Sequence, residues 1–384
     1  MIRVLHIIPT LNKGGAERLT IDICKNLNDR SDIEVQLVLM TNDIKYELPT
    51  TLSYVITDSK INLSIWKKNK VSSSHFDSII RDFQPDIIHS HLFEAEVLSR
   101  FKPYPSIVYI THVHDNIVQL ENFVFHKPFK KKILNRFEKY WITKQYRKVD
   151  NQFISISKDT THFLKASLRN NKLSDAIYEL SNAIDFEQFY YACEKKITQK
   201  IKLIAVGSLV EKKNQQLLLQ IASLLKEKGI DFEMQILGDG PKRIFLENEI
   251  RKLGLSNQVY LLGNVNDVPS YLRQSTFFIH TALYEPFGLV LLEAMASGLP
   301  VISLDGKGNR DIILNGKNGY LLQENDPRIF VSKIIDLMND GEKYQSISLY
   351  ARTFAENYDI KKYVQKLVDY YRLLYLEKNE LRKV

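Results

Sequence analysis

Two glutamates, Glu285 and Glu293, have seven residues between them in the segment that runs from His280 to Pro300. The apolar run after Gly288 predicts a helix there, and the N–H groups and positive dipole end of its first turn suit an anion such as a phosphate. Glu285, just before this helix, could accept hydrogen bonds from sugar hydroxyls beside the phosphate. Glu293 lies within an otherwise apolar helix, where a carboxylate that binds two vicinal ribose hydroxyls would explain it. Alternatively, Glu293 is solvated and Glu285 is only a favourable charge near a helix start.

Adjacent glycines, Gly14 and Gly15, follow the first predicted strand at a strand-to-helix turn. Glycines there let the backbone approach a ligand closely and expose the N–H groups of the next helix. The spacing is not the G-x-G-x-x-G of a dinucleotide site. A merely flexible turn is the alternative.

Histidines follow two further predicted strands. His114 could polarise or orient a hydroxyl near neutral pH, and a surface or helix-capping residue is the alternative. His89 and His91 have alternating spacing with no third ligand near them in the sequence. We therefore do not predict a zinc site from this pair.

Short apolar runs alternate with helical patterns along most of the chain, which predicts parallel sheets with helices on both faces. The predicted fold class is α/β, with two doubly wound, Rossmann-like domains that face each other across a cleft. The carboxyl ends of the strands would line this cleft and hold the ligands. The predicted strands are Val4–Ile8, Val35–Met40, Asp86–His89, Ile107–Ile110, Gln152–Ile156, Leu203–Val206, Phe232–Leu237, Val259–Leu262, Phe277–His280 and Val301–Leu304. The predicted helices are Ala16–Leu27, Phe76–Phe83, Gln215–Glu227, Pro241–Leu253, Leu289–Ser297, Arg328–Met338 and Asp359–Lys378.

The predicted domains are residues 1–185 and 201–358, joined by a linker over 186–200, where neither strand nor helix periodicity is found. Residues 359–384 have helical spacing with no strand after them. This last helix must pack on one of the domains, and packing back on the N-terminal one is open to it.

The 384-residue chain has the composition of a soluble globular protein, with 44% hydrophobic and 26% charged residues. No apolar run approaches the ~18 residues of a membrane-spanning helix. The first residues lack a signal-peptide pattern, so we expect a cytoplasmic protein. Two cysteines encode neither a disulfide framework nor a four-ligand zinc site.

Much of the net charge of +8 lies in residues 125–141, which hold six basic residues and one acidic residue. A helix here would be amphipathic and could dock on an anionic membrane surface. A core-facing helix with a solvated basic face is the alternative, and nucleic acid is not expected because no binding module accompanies the segment. The apolar face would contain Phe129, Ile133, Leu134, Phe137 and Trp141.

The segment from Glu285 to Glu293 resembles the E-x7-E motif of the retaining glycosyltransferases of family 4, also called glycosyl transferases group 1. This family has the GT-B fold of two facing Rossmann-like domains. The resemblance covers nearly the whole chain and is most specific in the C-terminal domain. Other matching segments are Gly14–Arg18, Ser181–Asp185, Val206–Leu209 with Lys213–Asn214, Gly238–Pro241, Leu262–Gly263 with Asp267–Pro269, and Asn315–Gly319.

The resemblance implies an acceptor-side domain over residues 1–185 and a nucleotide-sugar domain over residues 201–358. Glu293 would bind the ribose of the donor, Glu285 the transferred sugar, and Lys213 the diphosphate leaving group. His114 matches the histidine near the donor sugar and acceptor, with His112 as the second candidate. Further donor contacts would involve Gly14 and Gly15, the backbone N–H groups of Phe287, Gly288 and Leu289, and the base-binding backbone of Asn264 and Val265.

Ser208 occupies a position where the family usually has an arginine, so a fixed bidentate charge on the diphosphate is missing. Lys212, Lys213 or Arg243 could compensate. The sequence also lacks the Asp-x-Asp motif that binds a divalent metal in the other large glycosyltransferase fold. Helix N–H groups and lysine would then stabilise the leaving group, and we expect neither a metal nor another cofactor.

The resemblance, together with these observations, implies a metal-independent, retaining glycosyltransferase. It would move a sugar from a nucleoside-diphosphate sugar, UDP-linked in preference to GDP-linked, to a hydroxyl of a glycan or lipid-linked acceptor in cell-envelope or surface polysaccharide assembly. Two alternatives stay open: a sugar-nucleotide epimerase or hydrolase on the same fold, and a catalytically silent binding protein of glycan assembly.

Overall fold

The computed structural model describes residues 1–64, 69–120, 129–169 and 172–381. It divides into two compact units, one made of Met1–Ala183 with Ile360–Val384 and the other of Ile184–Asp359. Both units have the predicted α/β architecture built on a parallel sheet.

The first unit contains a seven-stranded parallel sheet in the order β3-β2-β1-β6-β7-β8-β9. Strands β4 and β5 form a separate antiparallel pair. The strands are β1 Ile2–Ile8, β2 Ile33–Leu39, β3 Tyr54–Ile56, β4 Ile61–Asn62, β5 Lys70–Val71, β6 Ile87–His91, β7 Val108–Val113, β8 Asp150–Ser155 and β9 Ile177–Glu179. Its helices are α1 Gly15–Asn28, α2 Ser74–Phe83, α3 Phe93–Phe101, α4 Phe129–Tyr146, α5 Lys158–Ser167 and the last helix, α13 Ile360–Leu381.

The second unit contains a six-stranded parallel sheet in the order β12-β11-β10-β13-β14-β15. The strands are β10 Ile201–Val206, β11 Phe232–Leu237, β12 Val259–Gly263, β13 Phe277–His280, β14 Val301–Leu304 and β15 Gly319–Leu322. The helices are α6 Phe186–Phe189, α7 Gln215–Glu227, α8 Arg243–Lys252, α9 Val268–Gln274, α10 Leu289–Ala296, α11 Pro327–Met338 and α12 Gly341–Ala355.

The segment over 186–200 differs from the predicted linker. The boundary falls between Ala183 and Ile184, so this segment belongs to the second unit. It begins with the short helix α6 and is anchored by buried Lys195, whose ammonium donates to the carbonyl oxygens of Leu272 and Ser275 at 3.0 and 3.2 Å. These tertiary contacts hold a segment that has no periodic pattern of its own.

Helix α13 packs within the first unit, although it follows the whole of the second unit in the chain. Its residues Val364, Leu367 and Tyr371 join one buried cluster with Val4 of β1 and Ile110 of β7. Parallel strands covered on both faces become continuous apolar runs. The first sheet therefore has its helical cover completed by the end of the chain.

Helix α4 spans part of the predicted amphipathic segment, but residues 121–128 and the side chains of 129–132 lie outside the described residues. The predicted apolar face is divided: Ile133 and Leu134 are 39% and 37% exposed, whereas Trp141 packs against a buried cluster of the first unit. Among the helices of the described residues, none combines the length and apolar composition needed to cross a membrane.

Candidate active site

Glu285 lies in the loop between β13 and α10, which is fastened to the loop after β14. The Glu285 N–H donates to the Gly306 carbonyl at 2.8 Å, and the Gly308 N–H donates to the Glu285 carbonyl at 3.0 Å. A Cβ at Gly308 would lie 1.9 Å from the carbonyl oxygen of Pro286, and one at Gly306 would lie 2.8 Å from the Glu285 nitrogen. The two backbones approach this closely because both positions are glycine, and this contact fixes the Glu285 backbone.

The Glu285 carboxylate is 8% exposed and is paired with two basic side chains. Its Oε2 atom lies 2.6 Å from Lys213 Nζ and 3.1 Å from His280 Nε2. Burial alone would raise the pKa of Glu285, but the Lys213 charge and the His280 ring outweigh it and lower that pKa to about 2. Burial lowers the pKa of His280. Near neutral pH the group therefore consists of a carboxylate, an ammonium and a neutral imidazole.

Lys213 reaches Glu285 because β10 and β13 are neighbours in the sheet. The loops after the two strands are joined, since the Thr281 hydroxyl donates to the Lys213 carbonyl at 3.0 Å and the Leu283 N–H to the Lys212 carbonyl at 2.9 Å. From β10 the chain adds β11 and β12 on one side of the sheet and then β13, β14 and β15 on the other, so the direction of strand addition reverses between β10 and β13. Ligands of doubly wound sheets bind outside the strand ends at this reversal.

Helix α10 begins directly after Gly288, which has a left-handed backbone with φ of +104°. A Cβ at this position would lie 2.7 Å from a methyl group of Leu291. Phe287 is buried, and the helix continues with buried Leu291 and Leu292. Glu293 is half-buried on this otherwise apolar helix, one turn after Leu289.

The segments predicted to contact the diphosphate and base follow β10 and β12. Ser208 is exposed, and Gly207 before it lies beside Lys213: a Cβ on that glycine would be 3.8 Å from Lys213 Cδ. Asn264 is exposed and Val265 half-buried after β12.

Of the three residues considered as replacements for the missing arginine, Lys213 lies beside Gly207, the residue before Ser208. Arg243 instead donates to the Leu261 carbonyl and to Glu247, at 3.1 and 2.9 Å. Lys212 Nζ lies 6.0 Å from the centre of the Tyr284 ring.

The glycine pair of the first unit begins α1, with Gly14 as its N-cap. Gly14 has an extended backbone with φ of −159°, which any residue can adopt. A Cβ there would lie 2.3 Å from a carboxylate oxygen of Glu17, the far end of a flexible side chain that can move aside.

His114 and His112 belong to a group of five histidines on neighbouring strands, which we call the histidine cluster. His91 Nδ1 lies 2.8 Å from His114 Nε2, and His89 Nε2 lies 3.2 Å from His112 Nδ1. His112 is 1% exposed, whereas His114 is partly exposed. This difference favours His114 over His112 for contact with a ligand. The cluster is made of His6 on β1, His89 and His91 on β6, His112 on β7 and His114 just after β7.

His6 was not among the site residues predicted from the sequence. It pairs directly with His89 in the β1–β6 register, as His91 pairs with His112 across β6 and β7. The alternating histidines at 89, 91, 112 and 114 were a signal. The order and register of the strands were needed to see that His6 joins them.

Comparisons with known proteins agree with this architecture. Residues 191–354 match the family model of glycosyl transferases group 1, and residues 13–188 match that of glycosyltransferase family 4. The Campylobacter jejuni N-acetylgalactosamine-N,N'-diacetylbacillosaminyl-diphospho-undecaprenol 4-alpha-N-acetylgalactosaminyltransferase is 26% identical over 94% of this chain and 97% of its own. The Escherichia coli UDP-Gal:alpha-D-GlcNAc-diphosphoundecaprenol alpha-1,3-galactosyltransferase is 24% identical over 81% of each chain.

A solved structure shows the same fold at low sequence identity. The crystal structure of Anabaena HepE in complex with UDP-glucose aligns with a TM-score of 0.75 over 97% of this chain and 100% of that one, at 17% identity. Both family models match along the chain, and the Glu285–Lys213 pair lies in the segment that the group 1 model covers. This protein therefore belongs to the glycosyl transferases group 1 and is a glycosyltransferase with the GT-B fold.

Proposed function

We propose that the protein is a retaining transferase that moves a sugar from a UDP-sugar to a hydroxyl of a lipid-linked glycan in cell-envelope or surface polysaccharide assembly. The observation that carries this proposal is the buried Glu285–Lys213 pair beside the start of α10. Two relatives named for diphospho-undecaprenol substrates support the acceptor class, and a fold neighbour bound to UDP-glucose supports the donor. The acceptor chemistry would place the enzyme at the inner face of the membrane.

Each charged group has a distinct part in the proposed reaction. Ionised Glu285 can only accept hydrogen bonds, so it would hold hydroxyls of the transferred sugar. The Lys213 ammonium has three donors and gives one to Glu285. Its other donors can serve the diphosphate. Glu293 would accept from the ribose hydroxyls, and the first N–H groups of α10 would face a phosphate.

The chemical step follows from this arrangement. As the bond from the anomeric carbon to the phosphate oxygen breaks, the sugar gains oxocarbenium character and negative charge grows on the diphosphate. Lys213 and the helix N-terminus are positioned in advance to stabilise that charge. The acceptor hydroxyl then attacks from the face that the leaving group departs: its oxygen bonds to the anomeric carbon, and its proton passes to the departing diphosphate, which leaves as UDP. We propose that no metal ion takes part.

The donor assignment is tested by nucleotide binding to the full chain. We expect UDP to raise the melting temperature more than GDP, and Glu293→Ala to weaken UDP binding about tenfold or more, because a charge-assisted hydrogen bond contributes ~1.5–3 kcal/mol. The control is Glu342→Ala, which removes an exposed carboxylate from α12. Equal UDP affinity in the two variants would reject the role of Glu293.

Transfer itself is tested by following UDP release from UDP-sugars with and without a diphospho-undecaprenol-linked glycan. Release that depends on the acceptor supports the proposal. Release without an acceptor would indicate a hydrolase, and interconversion of the sugar would indicate an epimerase. Binding without turnover across an acceptor panel would favour a silent binding protein.

His114→Ala should lower kcat for transfer about 10- to 100-fold while UDP affinity changes little, because the ring is proposed to orient the acceptor hydroxyl. His162→Ala is the matched control, since His162 is an exposed histidine of α5 in the same unit. A loss confined to donor affinity would count against this role.

A further inference from the structure

The histidine cluster is joined by Tyr371 of α13 into one continuous chain of hydrogen bonds. The Tyr371 hydroxyl lies 2.6 Å from His89 Nδ1 and 3.2 Å from His6 Nε2. Two branches leave this hydroxyl. The long branch continues from His6 Nδ1 to His91 Nε2 at 2.9 Å and from His91 Nδ1 to His114 Nε2 at 2.8 Å, and the short branch continues from His89 Nε2 to His112 Nδ1 at 3.2 Å.

Every imidazole in this chain is neutral near pH 7. Burial is the largest cause that lowers the pKa of each of the five histidines below the usual value. A neutral imidazole has one N–H and one acceptor nitrogen. If one ring in the chain donates through a given nitrogen, its other nitrogen must accept, and the next ring is fixed in turn.

The chain therefore has two arrangements in which the Tyr371 hydroxyl also donates its proton within the chain. A third, in which Tyr371 accepts from both branches, would leave its buried O–H without a partner among the described residues. In the first, the N–H groups of the long branch point toward Tyr371, whose hydroxyl donates to His89, and His89 donates to His112. This leaves a proton on His112 Nε2 and none on His114 Nδ1. The second arrangement reverses every bond and exchanges the two ends.

The distances at Tyr371 favour the first arrangement. The Tyr371 hydroxyl lies 2.6 Å from His89 Nδ1 and 3.2 Å from His6 Nε2. Hydroxyl donors make shorter hydrogen bonds than N–H donors, so Tyr371 donates to His89 and accepts from His6. The two ends of the chain, His112 Nε2 and His114 Nδ1, are buried and have no hydrogen-bond partner within the described part of the protein.

We infer that Tyr371, His6, His89 and His91 are positioning residues that fix the tautomer of His114, so that its Nδ1 atom bears no proton and accepts a hydrogen bond from a sugar hydroxyl. The choice of a hydroxyl as ligand rests on the proposed function, whereas the tautomer rests on the hydrogen-bond geometry and on the burial that keeps the rings neutral. His114 is partly exposed but Nδ1 is covered. The hydroxyl would reach it as the ring adjusts, which is common when a ligand tightens the hydrogen bonds of a site.

A metal site is the competing interpretation of the same side chains. Ligand nitrogens of His6, His89 and His91 lie within 4.8 Å of one another, as do those of His91, His112 and His114. However, the His89 and His91 rings are 12° from parallel and the His112 and His114 rings 18°. The lone pairs of stacked rings lie in parallel planes and do not converge on one ion. Most of these nitrogens are also already hydrogen-bonded to each other.

The test is nitrogen NMR of the full-length protein labelled with ¹⁵N-histidine, with signals assigned through single histidine variants. In the wild type we expect one protonated nitrogen on each ring of the cluster and an unprotonated His114 Nδ1. Tyr371→Phe removes the joint between the branches and should give mixed tautomers at His6, His89 and His114. Tyr363→Phe is the control, because this buried tyrosine of α13 has a hydroxyl without a hydrogen-bond partner among the described residues. It should leave the tautomers unchanged.

Three results would overturn the inference: a protonated Nδ1 on His114 in the wild type, unchanged tautomers in Tyr371→Phe, or stoichiometric binding of Zn²⁺ that shifts the cluster signals. If Tyr371→Phe folds poorly, the wild-type spectrum still shows whether His114 Nδ1 bears a proton, and this result alone can overturn the inference. In transfer assays, Tyr371→Phe should lower kcat about tenfold with an unchanged KM for the donor. If the protein has no transferase activity but shows the expected tautomers, the proposed function fails and the positioning inference stands.

Discussion

Glu285→Gln is expected to lower kcat for sugar transfer by about 10²- to 10³-fold, the usual effect of removing one preorganised polar group from a transition-state site. The amide keeps the shape of the side chain but loses the charge that pairs with Lys213 at 2.6 Å. It also places an N–H₂ group where the ionised carboxylate only accepts hydrogen bonds. UDP affinity should change much less than kcat, because Glu285 is assigned to the sugar.

The control for this variant is Glu233→Gln on β11, which changes a carboxylate of the same unit that pairs with Lys200 at 3.5 Å. Near wild-type turnover is expected there. If Glu285→Gln keeps wild-type kcat, Glu285 has no part in the chemical step.

The difference in stability between the wild type and Glu285→Gln should depend on pH. The pKa of Glu285 is about 2 in the folded protein and 4.5 in its reference state. A carboxyl whose pKa is depressed by folding contributes stability above the unfolded pKa and loses it as pH falls toward the folded pKa. The wild type should therefore lose stability relative to Glu285→Gln between about pH 4.5 and pH 2. Thermal melts of both proteins across this range measure the difference, and a constant difference would contradict the ion pairing.

The sequence predicted the central strands of both sheets because buried parallel strands are short apolar runs between turns. Phe232–Leu237, Phe277–His280, Val301–Leu304 and the helix Gln215–Glu227 have the predicted bounds. The edge strands β9 and β15 were not predicted, since β9 has no fully buried residue and β15 begins with a glycine, so neither is a plain apolar run. The segment 186–200 was misjudged because Lys195 fastens it to carbonyl groups that are about 80 residues away in the chain.

The site was predicted as a set of residues but not as a set of contacts. Both Glu285 and Lys213 were singled out, yet their ion pair depends on β10 and β13 being neighbours, which no local pattern specifies. The hydrogen bonds of Tyr371 with His6 and His89 could be predicted even less from local sequence. They join residues up to 365 positions apart and require both that β1 and β6 be neighbours and that the last helix return to the first unit.

Gly308→Ala is expected to reduce transfer as strongly as Glu285→Gln, although the methyl group touches no proposed substrate position. The added Cβ would lie 1.9 Å from the Pro286 carbonyl oxygen and 2.6 Å from that of Glu285. Both are backbone atoms, so no side-chain rotation relieves the overlap and the two loops must separate. Separation breaks the 3.0 Å hydrogen bond from the Gly308 N–H to Glu285 and displaces the carboxylate from Lys213.

The cost of this overlap should also appear in stability, at about 1–3 kcal/mol for forced overpacking. Gly341→Ala is the matched control: its Cβ meets nothing within 4 Å, and alanine at the start of α12 should be neutral or stabilising by up to ~1 kcal/mol. The measurements are kcat for transfer and thermal unfolding of both variants. Because the predicted loss of turnover comes from moving Glu285, combining Gly308→Ala with Glu285→Gln should reduce kcat little further than either change alone. Additive losses would show instead that the glycine contact and the carboxylate act independently.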